Sequence, residues 1–124
     1  METTQNNTKA AVKFLELIAA RKIDEAFETY VDMSGTHHNP FYPAGFPSLQ
    51  RGMKENDAQI PEKKLIVKNV LGDGDMVAVH FHLILKPYEM AVVHLFRFKE
   101  NKIVELWDCG MAIPDDSPNK DGVF

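Results

Sequence analysis

Apolar and polar positions alternate most regularly in Ala91–Cys109, AVVHLFRFKENKIVELWDC. Val92, His94, Phe96 and Phe98 fall on one face of a first strand, with Val93, Leu95 and Arg97 on the other. The polar run Lys99-Glu100-Asn101-Lys102 predicts a tight turn. On the returning strand Val104, Leu106 and Asp108 share one face, and Ile103, Glu105 and Trp107 share the opposite one. Glu105 belongs in water, so Val104, Leu106 and Asp108 are expected to point inward. A carboxylate on the apolar side of a sheet is costly unless it is hydrogen-bonded, paired or protonated. Acid–base chemistry is often found at such positions, which makes Asp108 the first candidate.

The front of the chain has helical periodicity instead. Thr3 or Thr4 can cap a helix through Ala10–Arg21, with Ala11, Val12, Phe14, Leu15, Leu17, Ile18 and Ala19 as its apolar stripe. Asp24 is a plausible cap for a second helix, DEAFETYV, whose inner side carries Ala26, Phe27, Tyr30 and Val31. Ser34–Gly45, SGTHHNPFYPAG, reads as an ordered loop with at most a very short strand. Ser48 starts a third helix, which Pro61 ends. Beyond it, Lys64–Leu71 alternates as a strand, Gly72–Asp75 turns, and Met76–Leu85 forms a longer strand before the hairpin. Helices followed by antiparallel strands predict an α+β fold: one domain spanning residues 1–124, a cone-shaped curved antiparallel sheet with the N-terminal helices on its concave face. That arrangement predicts a pocket between the layers, with apolar walls from Phe14, Phe27, Tyr30, Val92, Phe96 and Leu106. A small apolar ligand with one or two polar atoms would suit it.

Composition narrows the function. The chain has 124 residues, 44% of them hydrophobic and 26% charged, and a net charge of −4. Nothing in that balance favours a nucleic acid or an anionic membrane as partner. The single cysteine, Cys109, excludes an intrachain disulfide. With a polar N-terminus and no run long enough to span a bilayer, the expected location is cytoplasmic.

Four histidines join Asp108 as candidates. His94 shares the inward face with Phe96 and could lie across from Asp108, stabilising an enolate or holding the aspartate. His38 sits in a loop, and Pro40 after Asn39 would fix its orientation over the pocket, while His37 is expected to face solvent. His80 and His82 share a face, being two apart on a strand. With Glu89 and His94 they suggest a competing histidine metal site, although the spacing departs from a double-sheet barrel pattern. Arg97 and Glu105 are expected to pair across the hairpin on its outer face. An outward Trp107 suggests a dimer interface or a covered outer face. No phosphate-binding glycine loop or Ser-His-Asp pattern is present.

Several of these stretches together resemble SnoaL-like proteins. His38-Asn39-Pro40 after Tyr30-Val31 is similar to their Tyr-x-x-His-Asn-Pro segment, and Gly72-Asp73-Gly74-Asp75 before Val77-Ala78-Val79-His80 to their strand opening. Phe96-Arg97-Phe98, Lys102-Ile103-Val104-Glu105 and Trp107-Asp108 resemble their final hairpin, and Pro118-Asn119 with Gly122-Val123-Phe124 their ending. The resemblance covers nearly the whole chain. It implies the nuclear transport factor 2-like fold, homodimers through the outer sheet face, and a relation to polyketide cyclases that perform intramolecular aldol condensation. In those enzymes an aspartate matching Asp108 is the general acid–base, assisted by inward histidines. Two positions depart from the pattern: Leu106 stands where the family often has His, and His94 where many members have Asp. The expected activity is therefore proton transfer on a small apolar carbonyl compound, of aldol, isomerase or dehydratase type. Asp108, His94, His38 and His80 would be catalytic, and Phe14, Tyr30, Phe41, His82, Phe96 and Leu106 would contact the ligand, with no cofactor. The alternative is a binding protein for a small hydrophobic molecule.

Overall fold

The structure is a computed structural model describing residues 2–86 and 88–124. Three helices, α1 (Glu2–Ala19), α2 (Ile23–Tyr30) and α3 (Phe46–Gln59), pack on one sheet of five strands. The strands are β1 (Val31–His38), β2 (Lys64–Asp73), β3 (Met76–Ile84), β4 (Glu89–Lys99) and β5 (Lys102–Ala112), in the order β1-β5-β4-β3-β2. The fold is the α+β arrangement expected, with a curved sheet whose inner face carries the helices. Among the described residues no helix is long and apolar enough to cross a membrane.

Local chemistry moves some boundaries. Helix α1 begins at Glu2, so neither Thr3 nor Thr4 caps it; the Thr4 hydroxyl donates instead to the Gly74 carbonyl, 3.2 Å away, tying the helix to the β2–β3 turn. Helix α2 takes Lys22 as its cap residue without a side-chain bond, which leaves Asp24 in the first turn. From there Asp24 accepts from Gln50 Nε2 at 2.9 Å and Lys54 Nζ at 3.1 Å, joining α2 to α3. Helix α3 starts two residues before Ser48, with Gly45 as cap and Pro47 in its first turn, where a missing N–H costs nothing.

The largest departure is β1. Its eight residues take in Val31, expected at the end of the second helix, and Ser34–His38, expected within a loop with at most a very short strand; they add in parallel to β5, while β2 to β5 form antiparallel pairs. Its last three residues pair in sequence, Thr36 with Glu105, His37 with Leu106 and His38 with Trp107. The edge position beside the last hairpin explains why composition hid it, since the strand is half polar and carries a glycine.

The hairpin register holds one irregularity with consequences for the whole sheet. Arg97 pairs with Glu105 and Phe98 with Ile103, which leaves Val104 as a bulge. The extra residue reverses the side-chain parity, so Ile103 and Leu106 both face inward, at 0% and 2% exposure. Strict alternation assigned Val104 to the core and Ile103 to the outside; the bulge exchanges them and keeps Leu106 and Asp108 inward. Opposite the bulge lies Gly35 of β1. A Cβ there would run into the Val104 carbonyl and approach the Phe46 ring to 2.8 Å. Only glycine lets β1 close on the bulged strand.

Between the layers the side chains expected to line a cavity pack against one another. Phe14 meets Phe27 edge-on at 5.5 Å and Phe96 at 6.1 Å, and Phe27 meets Phe46 at 6.3 Å. All four are fully buried, with Leu15, Leu49, Val79 and Leu106 around them. The cone is filled by rings at this depth, and its polar groups lie nearer the rim.

Gly35→Ala is expected to lower the unfolding free energy by about 1–3 kcal/mol, the range of overpacking in a close-fitted core. Chemical denaturation measures this. A change below about 0.5 kcal/mol, ordinary for a surface site, would mean β1 can move off the bulge without penalty.

Candidate functional site

Residues opposite one another on an antiparallel pair share a face. His94 and Asp108 are such partners, both on the inner side with Phe96 and Leu106. His94 Nε2 lies 3.3 Å from Asp108 Oδ2, with the histidine side chain 8% exposed and the aspartate 27%. The pair thus sits where the core meets solvent. Phe81 meets the imidazole edge-on at 5.0 Å and Phe96 packs on it at 5.9 Å, which fixes the ring plane. Its Nδ1 is buried and has no hydrogen-bond partner among the described residues. An unmet buried polar atom of this kind costs roughly 1–3 kcal/mol.

Asp108 has a second partner. Asn39 donates from Nδ2 to Asp108 Oδ2 at 2.9 Å, so one carboxylate oxygen faces both His94 and Asn39. The Asn39 Oδ1 in turn accepts from the Phe41 N–H at 3.0 Å. The Asn39 N–H donates to His37 Nδ1 at 3.1 Å, and His37 Nε2 lies 2.8 Å from the Pro43 carbonyl. A backbone N–H aimed at Nδ1 makes that nitrogen the acceptor. Nε2 therefore carries the proton and donates it to Pro43. Sequence reasoning placed His37 in solvent and gave Asn39 no role. The signal was present in the alternation of β1: Val31, Met33, Gly35 and His37 form its inner set, and Val31 and His37 are buried.

Tyr42 completes the rim. Its ring lies where a side chain at position 52 would stand, so the buried, mid-helical Gly52 makes room for it. Burial first, and then the Asp108 charge, push the Tyr42 phenol above its ordinary value of 10.0. It therefore stays a hydroxyl donor throughout the neutral range.

Other predicted residues lie elsewhere. His38 points to the outer sheet face, stacked on Trp107 at 5.2 Å and bonded to Glu105 Oε2 at 2.7 Å. It is the neighbour of His37, and strand parity sends the two to opposite sides. His80 and His82 also face outward, since their strand neighbours Val79 and Phe81 fill the core. His80 meets Asn69 Nδ2 at 3.1 Å, His82 meets Glu89 Oε1 at 2.6 Å, and the Phe124 ring packs on both imidazoles. The sheet separates His80 and His82 from His94, so these three cannot share a metal ion. Phe14, Phe96 and Leu106 are core residues. Tyr30 precedes Val31, which pairs with Ile103 at the far end of β5 from Asp108. Phe41, beside Asn39, is 86% exposed. Two open depressions of about 520 and 480 Å³ lie around Asp24 and Lys54 on α2 and α3, away from the dyad.

The outer cluster has its own electrostatics. Glu105 takes the His38 bond and also contacts Arg97 Nε at 3.4 Å, the cross-strand pair expected, while Arg97 lies over Trp107 at 5.7 Å. The His38 hydrogen bond, with help from Arg97, holds the Glu105 carboxyl below its ordinary 4.5. The unfolded chain therefore takes up this proton first as pH falls. The stabilisation is complete above about pH 4.5 and is lost as pH drops through the lowered folded value. Glu105→Gln should flatten the decline of melting temperature over about pH 5 to 3. A variant that follows the wild-type acid profile would show that Glu105 contributes nothing to it.

The sequence matches the SnoaL-like domain over residues 11–106. No curated protein sequence matches the chain. Among solved structures it is similar to IdmH of Streptomyces antibioticus, provisionally assigned as a polyketide cyclase, with 15% identity, 84% of this chain and 91% of that one covered, and a TM-score of 0.73. A provisionally assigned ketosteroid isomerase from Kribbella flavida DSM 17836 aligns with 19% identity over 95% of this chain and 87% of its own, TM-score 0.75. An NTF-2 like protein of unknown function from Burkholderia xenovorans LB400 aligns with 16% identity over 92% and 88%, TM-score 0.75. At these identities the structures establish the fold alone, whereas the domain match spans most of the chain. The chain belongs to the SnoaL-like family and has its nuclear transport factor 2-like fold.

Proposed function

We propose that the protein is a small-molecule enzyme in which Asp108 moves a proton at the carbon beside a carbonyl of an apolar compound. The observation that carries this reading is the half-shielded Asp108–His94 pair, with one imidazole nitrogen against the carboxylate and the other buried without a partner. Asn39 and His94 occupy Oδ2, and Oδ1 is the oxygen left to take the proton. The C–H electrons pass into an enolate, whose oxygen needs a donor. The protonated Tyr42 hydroxyl is the donor at hand, while His94 stays against the carboxylate. Returning the proton elsewhere gives isomerisation, and attack of the enolate on a second carbonyl gives aldol closure. Neither outcome requires a cofactor. The provisional cyclase and isomerase assignments of the structural neighbours fit this class of chemistry. His38, His80 and His82, on the outer face, fit the reaction less well than Asn39 and Tyr42. A homodimer through the outer face, where Val93, Leu95 and Trp107 lie half-buried, and a cytoplasmic setting belong to the same proposal.

A second reading, a protein that only binds a small hydrophobic molecule, draws support from the Asn39 bond. That contact ties a loop to β5 and gives the carboxylate a structural task without any chemistry.

Deuterium wash-in beside the carbonyl of small apolar ketones, followed by NMR, separates the two. On the enzyme reading Asp108→Asn slows exchange by about 10²–10⁴-fold, the usual contribution of a positioned acid–base group. Ligand affinity should change little, because the lost interaction acts in the transition state. Exchange at the wild-type rate in the folded variant would remove Asp108 as the base.

A further inference from the structure

We infer that His37 is the positioning residue of this site, holding Asp108 in place through Asn39. The imidazole is 6% exposed and packs beside Phe46 at 6.2 Å. Both its nitrogens are engaged, and their partners are the two ends of one short loop. Nδ1 receives the Asn39 N–H and Nε2 donates to the Pro43 carbonyl, so the ring bridges residues 39 and 43. Apart from the Phe41 N–H on Asn39 Oδ1 and the Tyr42 ring against Gly52, little else closes that loop. Pro40 and Pro43 have no N–H to offer, and the backbone bond from Tyr42 to Asn39 is long, at 3.4 Å. Removing the imidazole bonds would therefore free the Asn39 backbone.

The side chain of Asn39 follows its backbone. Its Oδ1 is held by the Phe41 N–H, within the same loop, and this turns Nδ2 toward Asp108. A carboxylate at the core margin can rotate about its last bond unless donors single out one oxygen. With Nδ2 on Oδ2 the rotation is stopped and Oδ1 is presented. His37 touches neither Asp108 nor any group that would react, and its influence passes wholly through the loop. The geometry also specifies the tautomer: only a neutral ring with the proton on Nε2 satisfies both contacts, since a proton on Nδ1 would face the Asn39 N–H. Any effect on turnover rests on the reading of Asp108 as the base, but the mechanical coupling does not.

The test reads Asp108 directly. In His37→Phe, which keeps a ring beside Phe46 and loses both bonds, the Asn39 amide should exchange with solvent at least about tenfold faster. The Asp108 carboxyl carbon resonance, compared with wild type at one fixed pH, should shift, because the Asn39 donor on Oδ2 is no longer held in place. His37→Gln, with one donor and one acceptor, should recover part of both changes. A residue that merely filled space would alter stability and leave the Asp108 carboxyl resonance where it was. That result in a folded His37→Phe overturns the coupling. Should His37→Phe fail to fold, nitrogen shifts of the wild-type imidazole decide: a proton on Nε2 supports the bridge, and a proton on Nδ1 overturns it. If the resonance moves while Asp108→Asn leaves ketone exchange intact, the coupling stands and the acid–base reading falls.

Discussion

An aspartate on the inner face of a sheet has to be supplied with donors, and much of the rim of this protein is arranged around that need. Asp108 takes one donor from Asn39 and faces a second in His94. The first fixes the position of the loop after β1, and the second is delivered by the register of β4 on β5. Tyr42, in the same loop, comes to rest against Gly52 near the same carboxylate. Two strands and a connection thus meet at one side chain, and helix α3 is seated against the same connection through Tyr42.

The central part of this arrangement was legible in the sequence. The alternation of Val92, His94, Phe96 and Phe98 and the exposure demanded by Glu105 are strong signals, because each follows from a two-residue period and the cost of burying a charge. They place His94 and Asp108 on one face and predict their pairing, as the register shows. A bulge is invisible to that reasoning. It adds a residue without changing composition, so Ile103 and Val104 were exchanged while everything beyond Glu105 kept its assignment.

Strand β1 failed for a different reason. Its edge position and parallel pairing to β5 are tertiary facts, and an edge strand needs only one apolar face. Glycine at position 35 and the run of polar residues around it read locally as a loop. Once the stretch is taken as a loop, parity gives no guide, and the assignment of His38 to the pocket and His37 to solvent came out inverted. The strand resolves them: one imidazole goes inward to brace the loop, and its neighbour goes outward to Trp107 and Glu105. Helix caps at Thr4 and Asp24 were misassigned on similar grounds, since both side chains found partners distant in sequence.

Packing also limits what the proposed chemistry can accommodate. Four phenylalanines fill the depth of the cone, and fully buried rings of that size leave the polar groups at its margin. A ligand that reaches Asp108 would meet a carboxylate already held by His94 and Asn39, and Gly110 lies two residues further along the same strand, against Met90 and Val92. The absence of a side chain at Gly110 matters here, because a Cβ would already touch Met90 and Val92 at 3.4 Å. On the proposed reading, the reactive carbonyl is therefore engaged near the rim, beside the loop that carries Asn39 and Tyr42. Specificity would then reside in a loop braced by a buried histidine, while the phenylalanine core below it serves as a rigid floor.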